Sequence, residues 1–280
     1  MPVVTDLYIY PIKSCAGIRV DSADLWETGL YLDRLWMVVD DEGHFVSQRT
    51  MPALARVATA LRFESLQIRA PGMLRLDIPI GGFDYSPALR IPVDVHGHRI
   101  DAFAEGELVN TWFSRFLGHS VRLVRIDPDF RRVCDPAWTG DPEAITQFAD
   151  AFPLLVVSKA SLDDLNRRVV ARGGETLSMT RFRPNVVIDG VDAYGEDFID
   201  RLTAPGYALR LVKPCSRCTI PCVDPESGSI GTEPTDTLVG YRHDPRVGGV
   251  TFGVNAIVVR GADEAVVRVG DPLDAGIRFD

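Results

Sequence analysis

Short β-prone runs broken by turn signals fill the first hundred residues, and that pattern leaves few folds open. Residues 3–10 are rich in Val, Tyr and Ile; 35–40 and 45–49 flank Asp41-Glu42-Gly43-His44; 66–69 and 74–78 flank Ala70-Pro71-Gly72-Met73. β-Branched and aromatic residues between clusters of Gly, Pro and Asp read as strands joined by tight turns. Residues 91–95 and 99–102 bracket His96-Gly97-His98, so the paired histidines are taken as the tip of a third hairpin rather than as ligands.

The period then changes. Leu108, Val109, Trp112, Phe113, Phe116 and Leu117 recur at helical spacing and Gly118 supplies the stop, which predicts an amphipathic helix over 107–117 with its aromatics in the core. A strand over 121–126 leads into a Pro-, Asp- and Gly-rich stretch, 127–143, read as a boundary or an active-site loop. Residues 154–157 read as a buried strand. Ser161-Leu162-Asp163-Asp164 opens a helix with a capping-box pattern that ends at Gly173-Gly174, and strands follow at 185–188, 208–212, 250–259 and 265–269. Many short strands and few helices predict a mainly β chain with some α, an α+β protein built of barrel or sandwich modules. Two domains are expected, 1–125 and 126–280.

With 46% hydrophobic and 25% charged residues, the 280-residue chain can bury a real core. A formal net charge of −9 argues against a nucleic-acid surface or an anionic membrane as the main partner, since both select for excess Lys and Arg. The amino terminus lacks a basic region followed by an apolar one, and no apolar run approaches a membrane span. Five cysteines with three clustered do not look like a disulfide framework. A cytoplasmic location is expected.

That cluster is Cys215-Ser216-Arg217-Cys218-Thr219-Ile220-Pro221-Cys222. Sulfur close to a cation suits soft-metal binding or thiolate chemistry, although Cys-x-x-Cys alone also occurs in zinc ribbons and plain loops. His243 is the one available fourth ligand for a zinc set of Cys215, Cys218 and Cys222. Glycine-rich phosphate loops, the Gly-x-Ser-x-Gly elbow and His-Glu-x-x-His are all missing from the sequence. Lys13, Arg34, Arg183 and Arg217 each stand where a strand gives way to a loop, and in an acidic protein they are candidates for an anion pocket, with Ser14, Asn185 and Ser216 as neutral donors.

Four separated stretches carry a resemblance: Tyr10-Pro11-Ile12-Lys13-Ser14-Cys15, Asp33-Arg34-Leu35-Trp36, Phe182-Arg183-Pro184-Asn185, and Cys215-Ser216-Arg217-Cys218 running on to Val223-Asp224-Pro225-Glu226-Ser227-Gly228, with a closing Val269-Gly270-Asp271-Pro272. In this ordered set the chain resembles proteins that join an N-terminal MOSC β-barrel to a molybdenum-cofactor MOSC domain, among them the mitochondrial amidoxime-reducing component and its bacterial relatives. The resemblance implies an N-terminal MOSC β-barrel-like module packed with a C-terminal MOSC β-barrel domain. It implies that Cys218 is the thiolate ligand to molybdenum, a soft donor for that metal. Lys13, Ser14, Arg34, Arg183, Asn185, Ser216 and Arg217 match positions that hold the anionic molybdenum cofactor (Mo-molybdopterin), and Arg217 is expected to favour the deprotonated form of Cys218. Asp150 is a candidate catalytic residue beside the metal.

The implied activity is reduction of small N-hydroxylated compounds by an oxidoreductase. Electrons are expected from a separate transfer protein such as a ferredoxin, a flavoprotein or a cytochrome b5-like protein, because no further cysteines follow the Gly270-Asp271-Pro272 stretch and no membrane anchor is evident. The alternative is a noncatalytic carrier of the cofactor or of sulfur.

Overall fold

The computed structural model describes residues 1–278 and is mainly β. Its largest sheet runs in the order Ile18–Val20, Val3–Ile9, Val186–Asp189, Leu154–Ser158, Gly249–Arg260, Ala208–Ser216, Ile199–Thr203 and Asp274–Ile277. Neighbours are antiparallel except Leu154–Ser158 and Val186–Asp189, which run parallel and are joined across the helix Lys159–Ala171. A second sheet joins Trp36–Val39, Arg122–Ile126, His98–Ala104 and Arg90–Val95, and a third joins Ala58–Arg62, Ser65–Arg69 and Leu76–Pro79.

The chain's two halves are woven together. The opening strand pairs Val3 with Asp189 and Val4 with Ile188, so it sits in the sheet of the second half. Late in the chain, Val266–Arg268 returns to pair with Ser22–Trp26. One continuous apolar core accordingly takes Leu7, Trp36, Ile68 and Phe113 from the first half and Leu154, Ile188, Leu211 and Ala256 from the second. Burying each such Leu or Ile is worth about 1.5–3 kcal/mol, so the shared core rather than the loops holds the halves in register.

The helix Glu107–Leu117 has the predicted bounds and ends on Gly118 at φ 72°, the left-handed cap position that glycine adopts without strain. Trp112 and Phe113 are buried, but Leu108 faces solvent despite its place in the periodic pattern. Two other expectations are corrected. The helix expected to open at Ser161 begins at Lys159 and is capped by Ser158, whose side chain accepts from Ser161 N at 3.1 Å, while Ser161 is inside the helix and donates to the buried Glu196 carboxylate. The supposed strand 45–49 makes a single bridge, Val39 to Phe45, and then curls away, with Met51 N bonded to Ser47 O at 2.8 Å. No helix among the described residues is long and apolar enough to cross a membrane.

Candidate active site

The weave delivers the basic residues to one place. As the strand Val3–Ile9 leaves the sheet, Tyr8 N bonds Asn185 O at 2.9 Å, so the Lys13-Ser14 loop emerges beside the Arg183-Pro184-Asn185 loop. Lys13 N bonds Trp36 O at 2.8 Å and Arg34 N bonds Tyr10 O at 2.9 Å, which brings in the Asp33-Arg34 turn. The long strand Ala208–Ser216 then ends at the same point and presents Ser216, Arg217 and Cys218. One pocket of about 720 Å³, including its solvent-open part, is lined by Lys13, Ser14, Arg34, Asp150, Arg183, Asn185, Ser216, Arg217 and Cys218. The cofactor-binding, metal-ligand and catalytic candidates implied by the resemblance converge there, whereas Cys222 and His243 do not line it.

Three of them hold a backbone conformation that side-chain-bearing residues rarely adopt. Ser14, Arg34 and Arg183 have φ values of 69°, 51° and 57°. Such left-handed positions cost on the order of 1 kcal/mol each and persist where the surroundings over-determine them. Here they aim side chains into the pocket instead of along a strand.

Two guanidiniums clamp a single ring. Arg34 lies 4.4 Å and Arg183 4.2 Å from the Tyr10 ring centroid. Arg34 also donates to Asp33 Oδ2 at 2.5 Å, to Asn185 Oδ1 at 3.0 Å and to the Arg183 carbonyl at 3.2 Å. Arg183 donates to the Cys15 carbonyl at 2.7 Å through Nη1. Burial, aided by the neighbouring Arg34 cation, pulls Arg183 down to about 10. Burial likewise raises the Asp33 carboxyl against the pull of Arg34. Asn185 is the joint of this region: its side chain also donates to Tyr8 O and accepts from Leu155 N.

Lys13 donates to the Phe148 carbonyl at 2.8 Å and is ion-paired with Asp150. Burial lowers the Lys13 ammonium, and Asp150 resists that shift. Asp150 is exposed at the pocket mouth, and against partial desolvation Lys13 and a hydrogen bond from His96 together hold its carboxyl well below the usual range. His96 Nε2 lies 3.3 Å from Asp150 Oδ1. The His96-Gly97 turn is therefore the hairpin tip that the sequence predicts, and it is also part of the pocket's mouth, a role that turn chemistry alone conceals.

Arg217 corrects a further expectation. Its Nη1 donates to Cys215 Sγ at 2.9 Å and its Nη2 to the Phe182 carbonyl at 2.9 Å, so it serves Cys215 rather than Cys218. The cation on the half-buried Cys218 is Arg49, whose Nη1 is 3.6 Å from Sγ. Arg49 carries no sequence signal; it reaches the site only because segment 45–49 curls away from its sheet. The zinc reading also fails. Cys222 is buried with its sulfur against Thr232 O and Thr235 Oγ1, and among the described residues the only gathered metal-type donors are the half-buried Asp40 and the exposed Glu42 and His44, far from the clustered cysteines in sequence.

The five thiols should differ sharply in reactivity. Burial pushes Cys15 up to about 12 and Cys134 up to about 11, and Cys222 is also enclosed. Iodoacetamide at mildly alkaline pH is expected to label Cys215 and Cys218 in the folded chain, with Cys15 and Cys134 at least about a hundredfold slower. Peptide mapping by mass spectrometry before and after unfolding reads this directly; early labelling of Cys15 would contradict its enclosure.

A strand-rich fold with one cationic, cysteine-bearing pocket at the junction of its halves has a counterpart among known families. Residues 1–120 match the MOSC N-terminal beta barrel domain and residues 144–274 match the MOSC domain. The chain is 34% identical to mitochondrial amidoxime-reducing component 1 of Mus musculus over 96% of its own length and 81% of that protein, and 34% identical to the Homo sapiens protein over 96% and 82%. It belongs to this family of two-part MOSC proteins. It is also 30% identical to the molybdenum cofactor sulfurase of Oryza sativa subsp. japonica, over 89% of this chain but 31% of that protein.

Proposed function

We propose that this protein is a molybdenum-cofactor-dependent oxidoreductase that reduces N-hydroxylated compounds, with electrons supplied by a separate protein. The relatives' names support a molybdenum-cofactor-associated, reducing function. One observation carries the finer reading: Arg183 Nη2 and Arg217 Nε are buried at the pocket with no hydrogen-bond partner among the described residues. A buried guanidinium N–H left unpaired costs about 1–3 kcal/mol, and an anionic group in the pocket would satisfy both. The donor set fits a phosphate-bearing pterin: bidentate arginines, the buried Lys13 and the hydroxyls of Ser14 and Ser216.

On this reading Lys13, Ser14, Arg34, Arg183, Asn185, Ser216 and Arg217 hold the molybdenum cofactor, and Cys218 ligates the metal. When bound, the cofactor supplies two-electron redox chemistry at a soft metal centre. The chain's own part is placement and charge. The Tyr10 clamp fixes two cations where an anion is held, Asn185 locks the loops that carry them, and Asp150 keeps an ionised carboxylate at the mouth, where it can accept a hydrogen bond and orient a substrate. The apolar ring of Phe152 helps line the pocket and limits water.

A second reading, a noncatalytic carrier of the cofactor or of sulfur, is supported by the likeness to the sulfurase. Protein made in a cofactor-competent host separates the two. The oxidoreductase reading expects about one molybdenum and one pterin per chain and turnover of an N-hydroxylated compound with a dithionite-reduced dye; bound cofactor with no turnover would favour a cofactor carrier, and absence of both metal and pterin would defeat the oxidoreductase and the cofactor carrier and leave only sulfur carriage.

A further inference from the structure

Arg49 approaches Cys218 from the opposite half of the chain, and its backbone is firmly placed. Beside it, Gln48 is buried and donates to the Ser14 carbonyl at 2.7 Å, tying the segment to the pocket wall. Arg49 N donates to Ser47 Oγ at 3.3 Å. Asp94 N bonds Gly43 O at 2.9 Å, which links the same segment to the strand that leads to His96. The Phe45 ring joins these pieces, with the His96 ring centroid 4.6 Å away, Lys13 Nζ at 5.4 Å and the Arg49 guanidinium at 5.5 Å.

The other cations of the site are less exposed than Arg49, and each is held in place by protein groups. Lys13 is paired with Asp150, Arg34 and Arg183 hold the Tyr10 ring, and Arg217 is turned to Cys215 and Phe182 O. Asp150 is itself balanced by Lys13 and His96. Arg49 is exposed, and its guanidinium is recorded against the Cys218 sulfur and the Phe45 ring, neither of them a carboxylate. A molecule arriving at Cys218 from solvent therefore meets the exposed Arg49 guanidinium first, a cation with no carboxylate in contact, while Arg183 and Arg217 are less exposed.

We infer that Arg49 is a specificity-determining residue that selects by charge, favouring substrates with a carboxylate or similar anionic group near the reacting nitrogen over substrates bearing an ammonium or amidinium. The charge preference follows from the geometry at Cys218; that the reacting group is an N-hydroxyl rests on the proposed function.

Two alkylating reagents test the charge preference without the cofactor. Iodoacetate is anionic and iodoacetamide neutral, both consume the same Cys218 thiolate, and the ratio of their rates therefore cancels the ionised fraction and reports the charge at the mouth. Trypsin cleaves after Arg217, so Cys215 and Cys218 fall in different peptides, and fragmentation separates Cys218 from Cys222. In the cofactor-free full chain, Arg49→Gln is expected to lower the iodoacetate-to-iodoacetamide ratio at Cys218 about fivefold at low salt, the size expected of one unit charge a few ångströms away in a wet mouth, with the effect shrinking as salt is added. Arg49→Lys should retain most of the preference and Arg49→Glu should lower the ratio further. In the loaded protein, Arg49→Gln should raise KM for a carboxylate-bearing N-hydroxylated substrate by a similar factor while leaving KM for a cationic one equal or lower. An unmoved alkylation ratio in both Arg49→Gln and Arg49→Glu overturns the inference whatever the activity. A shifted ratio in a loaded protein that reduces no N-hydroxylated compound upholds the charge selection and removes the proposed reaction.

Discussion

Cys218→Ala is expected to lose bound molybdenum and to reduce N-hydroxylated substrates at least about a thousandfold more slowly, because a cofactor enzyme without its ligand keeps binding groups but not the reacting centre. Folding should survive. Cys218 is half-buried, and its sulfur is recorded against only the exposed Arg49, so truncation opens no enclosed cavity and should cost within about 1 kcal/mol. Cys215→Ala makes the sharper comparison. It frees Arg217 Nη1 from a 2.9 Å contact, so cofactor retention should weaken while any retained cofactor keeps its metal ligand. Cys222→Ala, by contrast, removes a buried sulfur from beneath Thr235 and should lower the melting temperature without changing metal content per folded chain. Metal analysis, thermal melts and dye-coupled turnover on the three variants check the assignment, and full molybdenum and activity in Cys218→Ala would show that the ligand lies elsewhere.

The largest stability effect is expected at Glu105. Arg125 is 1% exposed and donates to Glu105 Oε1 at 2.7 Å, to Ile80 O at 2.7 Å and to Pro79 O at 2.7 Å, while its guanidinium lies over the Trp36 and Phe83 rings. Trp36 Nε1 donates to the same carboxylate. Glu105→Ala leaves a guanidinium enclosed without its counter-charge, a change that costs about 3–5 kcal/mol where the pair is buried. For a chain of this size that is a fall of roughly 5–9 °C in the thermal midpoint. An exposed pair such as Arg131 with Glu27 gives the contrast, since solvent screens it and its loss should leave stability nearly unchanged. Replacing both partners, Glu105→Gln with Arg125→Met, should recover much of the loss because no unpaired charge remains. If the single substitution costs no more than the surface pair, the buried charge is not held by Glu105. Because Trp36 O receives Lys13 N, loosening this clasp is also expected to weaken cofactor retention at the distant pocket.

The legible features of the sequence are local. The helix Glu107–Leu117 was legible because amphipathic spacing and a left-handed glycine stop both act within a few residues. The strands at Val3–Ile9 and Leu154–Ser158 were legible because β-branched runs bounded by turns bury themselves wherever they are placed. Of the site, the residues of the short motifs were legible as chemistry: a cysteine suited to a soft metal and cations in an acidic chain. Where local rules misled, two favourable local answers competed. Ser158 and Ser161 both suit a helix start, and the buried Glu196, distant in sequence, claims Ser161. The stretch 45–49 is β-prone, but Gln48 gains a buried bond to Ser14 O by leaving the ladder.

The sequence by itself determined which residue types are available for chemistry and most of the segments that become strand or helix, because burial period and turn propensity act within one segment. Tertiary structure alone decided that Val3–Ile9 pairs with Val186–Asp189, and therefore that Lys13, Arg34 and Arg183 meet. It decided that Arg217 serves Cys215, that Arg49 serves Cys218 and that His96 reaches Asp150. Such contacts span 169 residues in the case of Arg49 and Cys218, and their free energy comes from a core shared by both halves rather than from either partner's neighbours in the chain.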